Sequence, residues 1–319
     1  MRAAMREQYG PPAGVTMGEQ PVPELAADEV LVEVRAAGLD RGVLHLVEGT
    51  PYVLRLAFGL RRPKRPVLGL DLAGTVVAIG DNVTRFAVGD RVLGIGRGSM
   101  AQYCAALEAK LVHKPATLGF DKAAALPVSG LTALQAVEAA DIAADETVMV
   151  LGASGGVGTF AVQIAASRQA HVVAVCSPAK FDAVRALGAS EVVDYRAALP
   201  RDFDVVIAIG GNQPVRQLRS LLRPRGRLLV VGGEGGGQIL GIGRQLRAVA
   251  LNPFVGQRLG MLVSRESGED LQRLVALVAA GSVKPLVGAR YGLEQVGQAL
   301  SDMAAGRILG KGVIELAQG

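Results

Sequence analysis

The residues of this chain whose types and spacing could do chemistry form a glycine-rich turn, Ala153–Gly158. The turn lies between a short apolar run, Val148–Leu151, and a helical apolar pattern, Val157–Arg168. Small residues let the backbone close tightly on a phosphate, and the free N–H groups at a helix start favour negative charge. The order of strand, glycine turn and helix therefore indicates a binding site for a dinucleotide pyrophosphate. The residues expected to contact it are Ser154, Gly155, Gly156 and Val157.

The second half of the chain alternates between two patterns that would position this turn. Apolar runs typical of buried strands occupy Val148–Leu151, Val172–Val175, Glu191–Val193, Val205–Ile209 and Arg227–Val231. Helical patterns occupy Val157–Arg168, Lys180–Leu187 and Pro214–Leu222 between them, and Asp270–Ala280 and Leu293–Ala304 after them. Nearly continuous apolar strands that alternate with helices predict an α/β fold with a parallel, doubly wound sheet.

The first 115 residues have a different pattern, in which short strands alternate with glycine turns. Val30–Val34 is a strand of mostly β-branched residues, and Asp71–Gly80 is a second strand that ends in a turn. Strands at this spacing predict a compact barrel or sandwich. A further strand is expected close to the end of the sequence, at Gly312–Leu316.

Composition and charge exclude several other classes of protein. Half of the 319 residues are hydrophobic and 20% are charged, which is typical of a globular protein. The two cysteines cannot supply a disulfide scaffold or a four-cysteine zinc lobe. Aromatic residues make up 4% with no tryptophan, so nucleic-acid binding is not expected despite a net charge of +5. No apolar stretch is long enough to span a membrane and no signal peptide is recognised, so we expect a cytoplasmic protein without a membrane partner.

The glycine turn alone is compatible with two classes of dehydrogenase. The spacing Gly152-x-x-x-Gly156-x-Gly158 also fits short-chain dehydrogenases. Those enzymes carry the turn near the N-terminus and need a Tyr-x-x-x-Lys pair. None of the five tyrosines here has a lysine four residues later, which argues against that class.

Several further segments occur in an order that resembles the medium-chain dehydrogenase/reductase superfamily, and within it the zinc-free, zeta-crystallin-like quinone oxidoreductase branch. They are Gly69–Gly74, Phe86–Val92, Gly130–Ala133, Ala153–Gly158 and Leu187–Ala189. The resemblance covers nearly the whole chain. It implies a GroES-like β-barrel catalytic domain at residues 1–115, completed by about residues 285–319, and a doubly wound Rossmann NADP-binding domain at 116–284. The active site would be the cleft between these domains.

The resemblance also implies a reaction that needs no zinc. Zinc-using relatives place a cysteine shortly after the segment that matches Ala36–Gly38, and a Gly-His-Glu where this chain has Gly69–Asp71. Here Asp40–Val43 contains no thiol, and Leu70 replaces the imidazole. Without a Lewis acid to polarise an isolated carbonyl, substrates activated by conjugation, such as quinones and enones, become the favoured class.

The end of the second sheet strand distinguishes between NADH and NADPH. An NAD site places an acidic residue there for the ribose hydroxyls, but no acid occurs from Val175 until Asp182. Ser177 and Lys180 can instead contact a 2′-phosphate. In similar NADPH-dependent quinone reductases a lysine and a tyrosine fifteen residues later flank that phosphate, which matches Lys180 and Tyr195. The alternative is that these two side chains are an ordinary helix lysine and a packed surface aromatic.

Further contacts with the cofactor are expected where other strands end. Thr132 matches a threonine that lies near the nicotinamide in the family. Two glycine-containing segments follow the fourth and fifth strands of the sheet, where ligands bind in open α/β folds. The residues predicted there are Gly210, Asn212, Gly232 and Gly233.

Three polar residues are candidates for contact with the substrate or the nicotinamide ribose. Asp40 stands where relatives often have asparagine, and it either accepts a hydrogen bond from the ribose or caps the turn after its strand. His45 and Tyr52 follow on the segment that lines the cleft in relatives, and either can donate to a substrate oxygen. Packing of the histidine and a proton from solvent are the alternatives.

The stretch from Gly49 to Pro66 is longer than the fold requires, and it combines apolar residues with the basic run Arg61–Arg65. The basic run either belongs to a solvated loop or attracts an anionic partner or the phosphates of the cofactor. As a hypothesis, the whole stretch is a lid that receives a bulky apolar substrate.

The predicted function is that of an NADPH-dependent, zinc-independent reductase of quinones or α,β-unsaturated carbonyls. The alternative is a nucleotide-binding structural or regulatory protein of the same fold with little catalysis. Assembly as a homodimer is expected by analogy with relatives that pair through a sheet edge.

Overall fold

The computed structural model describes residues 1–232 and 242–316. Close contacts divide these residues into two compact units. The first consists of Met1–Leu131, Glu266–Ala279 and the described residues from Pro285 onward. The second consists of the described residues of Thr132–Arg265 together with Ala280–Lys284. The chain therefore returns to its first unit after it has formed the second.

The strands, in chain order, are β1 (Arg2–Met5), β2 (Thr16–Glu19), β3 (Glu29–Gly38), β4 (Asp71–Ile79), β5 (Arg91–Ile95), β6 (Tyr103–Leu107), β7 (Leu111–His113), β8 (Thr147–Leu151), β9 (His171–Cys176), β10 (Glu191–Asp194), β11 (Phe203–Ala208), β12 (Leu222–Val230), β13 (Arg258–Met261), β14 (Val287–Gly292) and β15 (Lys311–Glu315). The α-helices are α1 (Arg41–Glu48), α2 (Leu54–Phe58), α3 (Phe120–Ala124), α4 (Pro127–Ala139), α5 (Gly156–Ser167), α6 (Phe181–Arg185), α7 (Val215–Arg219), α8 (Gly243–Leu251), α9 (Gly268–Ala279) and α10 (Val296–Ala304). Short 3₁₀ turns connect several of them.

The first unit is built on a mostly antiparallel sheet with the strand order β14-β15-β3-β4-β5-β7, in which β6 also pairs with β3. Val30, Val32 and Val34 of β3 are buried and alternate with less buried neighbours, as expected for a strand with one face on the core. The strands predicted around Val30–Val34, at Asp71–Gly80 and near the end of the sequence are confirmed.

A buried ion pair ties distant parts of the first unit together. Lys311 of β15 donates through Nζ to Asp71 Oδ2 of β4 at 2.9 Å and to Ser129 Oγ at 3.2 Å. Asp71 Oδ1 in turn accepts from the backbone N–H of Val128 at 2.8 Å. Lys311 and Asp71 are 1% and 0% exposed. Burial raises the pKa of Asp71 to about 6, although Lys311 opposes the shift.

Two helices lie within residues 1–115, for which the sequence predicted mainly short strands and glycine turns. Helix α1 begins at Asp40, whose side chain caps it, and ends at Gly49, which has a positive φ of 63°. Val43, Leu44 and Val47 form its buried face. Helix α2 follows within five residues of that cap and has no buried residue. The three buried residues of α1 are too few to establish a helical period, which explains why the sequence did not reveal this helix.

The second unit contains a parallel sheet with the strand order β10-β9-β8-β11-β12-β13. Both faces of its central strands are covered, which explains the nearly continuous apolar runs of β8, β9 and β11. The five predicted strands are confirmed, and β13 is an addition. Its four residues include a single well-buried one, Leu259, so they carried no strand signal.

The strand order creates a switch point between β8 and β11. The chain runs from β8 outward to β9 and β10, and then crosses to β11, β12 and β13 on the other side. Because all six strands are parallel, their carboxyl ends share one edge of the sheet. Open α/β sheets bind ligands at such an edge, next to the switch point.

The compact units differ from the domain ranges predicted from sequence. Residues 116–131 and 266–279 lie with the first unit rather than the second. Ser129 and Val128 bond to the buried pair of Lys311 and Asp71, which explains why the start of α4 belongs to the first unit.

We predict that breaking the buried pair on one side destabilises the protein far more than removing both partners. Lys311→Met leaves the carboxylate of Asp71 without its counter-charge and should lower the free energy of unfolding by about 3–5 kcal/mol. Asp71→Leu combined with Lys311→Met should recover most of that loss. Urea unfolding of the two single variants and the double variant measures this cycle, and additive losses would contradict it.

Candidate active site

The glycine turn of the second unit closes as tightly as a phosphate site requires. Gly152 has a φ of 82°, and a Cβ added at Gly158 would lie 2.1 Å from the carbonyl oxygen of Gly152. Helix α5 begins after Gly155, and Thr159 donates the first bond back to the Gly155 carbonyl at 3.0 Å. The N–H groups of Gly156, Val157 and Gly158 lie ahead of the first intrahelical bond, and no side chain caps the helix, whereas the Gly155 N–H donates to the Gly152 carbonyl at 3.2 Å. Such a helix start favours an anion.

The residues predicted for the 2′-phosphate lie at the carboxyl ends of β9 and β10, the two strands on one side of β8. Ser177 and Lys180 follow β9, and Tyr195 follows β10 with its N–H donated to Cys176 at 3.2 Å. Half-burial lowers the pKa of Lys180. Arg196 lies over the Tyr195 ring, 5.5 Å from the centroid, and forms an ion pair with Asp194. These positions share an edge of the sheet with the glycine turn.

Loops on the other side of the switch point are joined by an arginine that the sequence reasoning missed. Arg244 of α8 donates to the carbonyl oxygen of Gly211 at 2.9 Å and to that of Gly232. It therefore fastens the loop after β11, which contains Gly210 and Asn212, to the end of β12. A lone arginine after a glycine-rich segment has no sequence signature, so only the fold could identify it. The predicted contact Gly233 lies outside the described residues.

Thr132 begins the second unit, near the start of α4. Its hydroxyl donates to Ser264 Oγ at 3.2 Å, and Ser264 donates to Gln135 Oε1 at 3.1 Å. The threonine side chain is thus held in a small hydrogen-bonded group.

Asp40 is the cap of helix α1 in the first unit. Its Oδ1 accepts from the backbone N–H of Val43 at 3.0 Å. Its Oδ2 is buried and has no hydrogen-bond partner in the described part of the chain. Burial raises the pKa of Asp40, and the positive charge of Lys311 opposes that effect. The side chain therefore caps α1 through one carboxylate oxygen, and its role toward a ribose stays a prediction.

His45 and Tyr52 have different surroundings. The imidazole Nδ1 of His45 is buried without a hydrogen-bond partner among the described residues, and burial lowers the pKa of the ring. Tyr52 is exposed, and the guanidinium of Arg55 lies 4.7 Å from its ring centroid. The histidine is thus favoured in its neutral form, and the tyrosine hydroxyl is accessible.

No group of three or more His, Cys, Asp or Glu side chains within residues 1–232 and 242–316 is arranged to hold a metal ion. Cys104 and Cys176 are buried, and burial raises the pKa of both thiols, which disfavours the thiolate form. None of the described helices has the length and apolar character needed to cross a membrane.

Comparison with known proteins places this geometry in a family. The model of the alcohol dehydrogenase GroES-like domain matches residues 26–117, and a model described as zinc-binding dehydrogenase matches residues 187–314. The chloroplastic quinone-oxidoreductase QR1 of Triphysaria versicolor is 30% identical over 99% of this chain and 98% of its own. The chain belongs to the medium-chain dehydrogenase/reductase superfamily, in its quinone oxidoreductase branch. The resemblance predicted from sequence is thereby confirmed.

Other relatives agree with this placement. The 2-methylene-furan-3-one reductase of Solanum lycopersicum is 30% identical over 92% of this chain and 73% of its own. The chloroplast envelope quinone oxidoreductase homolog of Arabidopsis thaliana is 36% identical, but the match spans only 61% of each protein. The solved quinone oxidoreductase of Coxiella burnetii has a TM-score of 0.89, 25% identity and 99% coverage of both chains. The predicted fold, a GroES-like domain plus a Rossmann sheet, is confirmed.

We predict that Gly158→Ala damages the glycine turn. Its Cβ would overlap the backbone oxygen of Gly152, so the turn has to shift. The free energy of unfolding should fall by about 1–3 kcal/mol, and affinity for a pyridine dinucleotide should fall with it. Gly155→Ala is the matched control. A Cβ there meets the same oxygen at an ordinary 3.5 Å, so its effect on stability should stay below about 1 kcal/mol. Equal stability of the two variants would contradict the tight closure.

Proposed function

We propose that this chain is an NADPH-dependent, zinc-independent reductase that transfers a hydride to a quinone or an α,β-unsaturated carbonyl. The proposal rests on the similarity to a quinone-oxidoreductase, which is 30% identical over 99% of this chain. The relative from Solanum lycopersicum is named as a reductase of 2-methylene-furan-3-one, a conjugated ketone, which supports enones as a second class of substrate. Both acceptors are electrophilic without a metal, since conjugation delocalises the incoming negative charge.

The residues of the second unit fit a pyridine dinucleotide. The uncapped start of α5 and the glycine turn would hold its pyrophosphate, through the backbone of Ser154, Gly155, Gly156 and Val157. Gly210, Asn212 and Gly232 lie on loops at the same edge of the sheet, and Thr132 would lie near the nicotinamide. When bound, the cofactor supplies the hydride, and the protein supplies position and electrostatics.

The choice of NADPH is supported by charge at the end of β9. Ser177 and Lys180 follow β9 and would contact a 2′-phosphate, and Tyr195 has an exposed ring after the neighbouring strand. Asp194 is the acidic group nearest in sequence to Tyr195, and Arg196 neutralises it. The local balance therefore favours a phosphate over free ribose hydroxyls.

We assign residues of the first unit to contacts with the substrate and with the nicotinamide ribose. The free Oδ2 of Asp40 can accept a hydrogen bond from a ribose hydroxyl, while its Oδ1 holds the helix. The exposed hydroxyl of Tyr52 can donate to the reduced oxygen, and His45 is available as a neutral donor or acceptor. Leu70 stands where zinc-using relatives have an imidazole, which supports a reaction without metal. A homodimer through an edge strand of the parallel sheet and a cytoplasmic location stay predictions.

We predict turnover of a small quinone with NADPH that survives exhaustive treatment with a chelator. The purified chain would be assayed for NADPH oxidation against a panel of quinones and enones, before and after metal removal. Activity should stay within about twofold, because no step depends on a Lewis acid. Restoration of lost activity by added zinc would overturn the zinc-independent mechanism. Tight NADPH binding without oxidation of any acceptor would favour the alternative function, a nucleotide-binding structural or regulatory protein.

We predict that Lys180→Ala lowers kcat/KM for NADPH by about 10- to 100-fold, because a charge-assisted contact with the 2′-phosphate is lost. The value for NADH should change little, since NADH lacks that phosphate. Arg185→Ala is the matched control, because Arg185 lies on the adjacent helix α6 and already pairs with Asp182. An equal loss with both cofactors would contradict the assignment.

A further inference from the structure

The stretch between Glu48 and Asp71 has an unusual composition. It contains five cationic residues and no acidic one. It also exposes several large apolar side chains, including Leu56 at 69%, Phe58 at 46% and Leu60 at 70%. Single exposed apolar residues are ordinary, but three within five positions beside a cationic run are not.

The base of this stretch is fixed to the first unit. The Arg55 guanidinium lies between two rings, 4.5 Å from the centroid of Tyr9 and 4.7 Å from that of Tyr52. Its Nε donates to the carbonyl oxygen of Gly49 at 2.8 Å, and the Tyr9 hydroxyl donates to that of Gly59 at 2.7 Å. Arg55 is therefore used internally, and the exposed side chains project from an anchored base.

The loop after α2 folds back on itself and keeps the apolar and cationic residues together. Gly59 donates to Arg55 at 2.9 Å, and Lys64 donates to Phe58 at 2.7 Å, both through backbone groups. A Cβ at Gly59 would lie 2.0 Å from the carbonyl oxygen of Arg62, so the turn is closely packed. We call the exposed side chains of this turn the docking face. They are Leu56, Phe58, Leu60, Arg61, Arg62 and Arg65.

The arginines of the docking face are not neutralised within the protein. Arg61, Arg62 and Arg65 are exposed, and none forms an ion pair with an acidic side chain among residues 1–232 and 242–316. Lys64 differs, because its Nζ donates to the Ala57 carbonyl at 3.2 Å. Three unpaired positive charges therefore border the apolar side chains.

We propose that the docking face binds an anionic lipid surface. The arginines would contact lipid phosphates while Leu56, Phe58 and Leu60 insert at the boundary between headgroups and acyl chains. Such contact requires no helix that spans the bilayer. Under this proposal the protein attaches peripherally to a membrane, whereas the sequence analysis expected no membrane partner. This proposal is independent of the reductase activity.

The chemistry favours lipid over the other anionic partners. A nucleic acid would need aromatic rings for base stacking, but the two most exposed apolar side chains here are leucines. A second copy of the chain carries the same positive charges on this face and would repel it. An anionic lipid surface offers phosphates for the arginines of the docking face and acyl chains for its apolar side chains.

Vesicle binding of the full chain tests the proposal. Vesicles of phosphatidylcholine with phosphatidylglycerol should bind the protein at low salt, and vesicles of phosphatidylcholine alone should not. Arg61→Gln, Arg62→Gln and Arg65→Gln together should weaken binding on the order of a hundredfold, because each charge near an anionic surface contributes about fivefold. The matched control changes three exposed arginines elsewhere, Arg201→Gln, Arg216→Gln and Arg225→Gln, and removes the same net charge. It should retain binding within about threefold.

A fluorescence reporter tests insertion separately, because the chain contains no tryptophan. Phe58→Trp should show a blue shift of emission with anionic vesicles, and Phe254→Trp, at an exposed position of the second unit, should show none. Equal losses in the two arginine triples, or an emission of the Phe58→Trp variant that does not move, would overturn the proposal. So would tighter binding to single-stranded RNA than to vesicles, or self-association that the arginine triple abolishes.

Discussion

The first unit depends on one buried electrostatic contact. Lys311 and Asp71 are both almost fully buried, and their pairing joins a strand from the end of the sequence to one from its first quarter. Ser129 and the backbone of Val128 complete the coordination of the two charges, so the start of α4 is held at the same place. A buried charge without a partner is strongly destabilising, which makes each of these elements necessary to the others. Asp40, which caps α1, is within the electrostatic influence of the same lysine, so the contact also affects a candidate site residue.

In the second unit, backbone atoms set most of the geometry of the candidate site. The turn after β8 brings a carbonyl oxygen so close to Gly158 that no side chain fits there, and the resulting helix start presents uncapped N–H groups. Arg244 plays the corresponding part across the switch point, where it ties two loops through their carbonyl oxygens. Under the proposed function, the backbone would hold the phosphates of the cofactor, and a few side chains such as Lys180 would select between NADPH and NADH.

The sequence predicted the parts of this structure that repeat. Five of the six described strands of the parallel sheet, the glycine turn and β15 were predicted, because apolar runs and glycine turns are visible in a short stretch of sequence. Helix α1 was missed because its buried residues, Val43, Leu44 and Val47, are too few to establish a period. Strand β13 was missed because pairing with β12, rather than its own composition, makes it a strand. Lys311 and Arg244 act through partners that are distant in sequence or belong to the backbone, and such partners exist only once the chain has folded. For Asp40 the sequence left two roles open, and in the structure its Oδ1 caps α1, while its Oδ2 has no hydrogen-bond partner among the residues that the structure describes.

The return of β15 to the first unit has a consequence for biosynthesis. Translation delivers Asp71 some 240 positions before Lys311, so the nascent first unit lacks its counter-charge until β15 has been made. The parallel sheet between them carries no such dependence, and its strands emerge in one continuous run. Domains generally fold as units during synthesis. We therefore expect the parallel sheet of the second unit to fold on the ribosome before β15 completes the first unit.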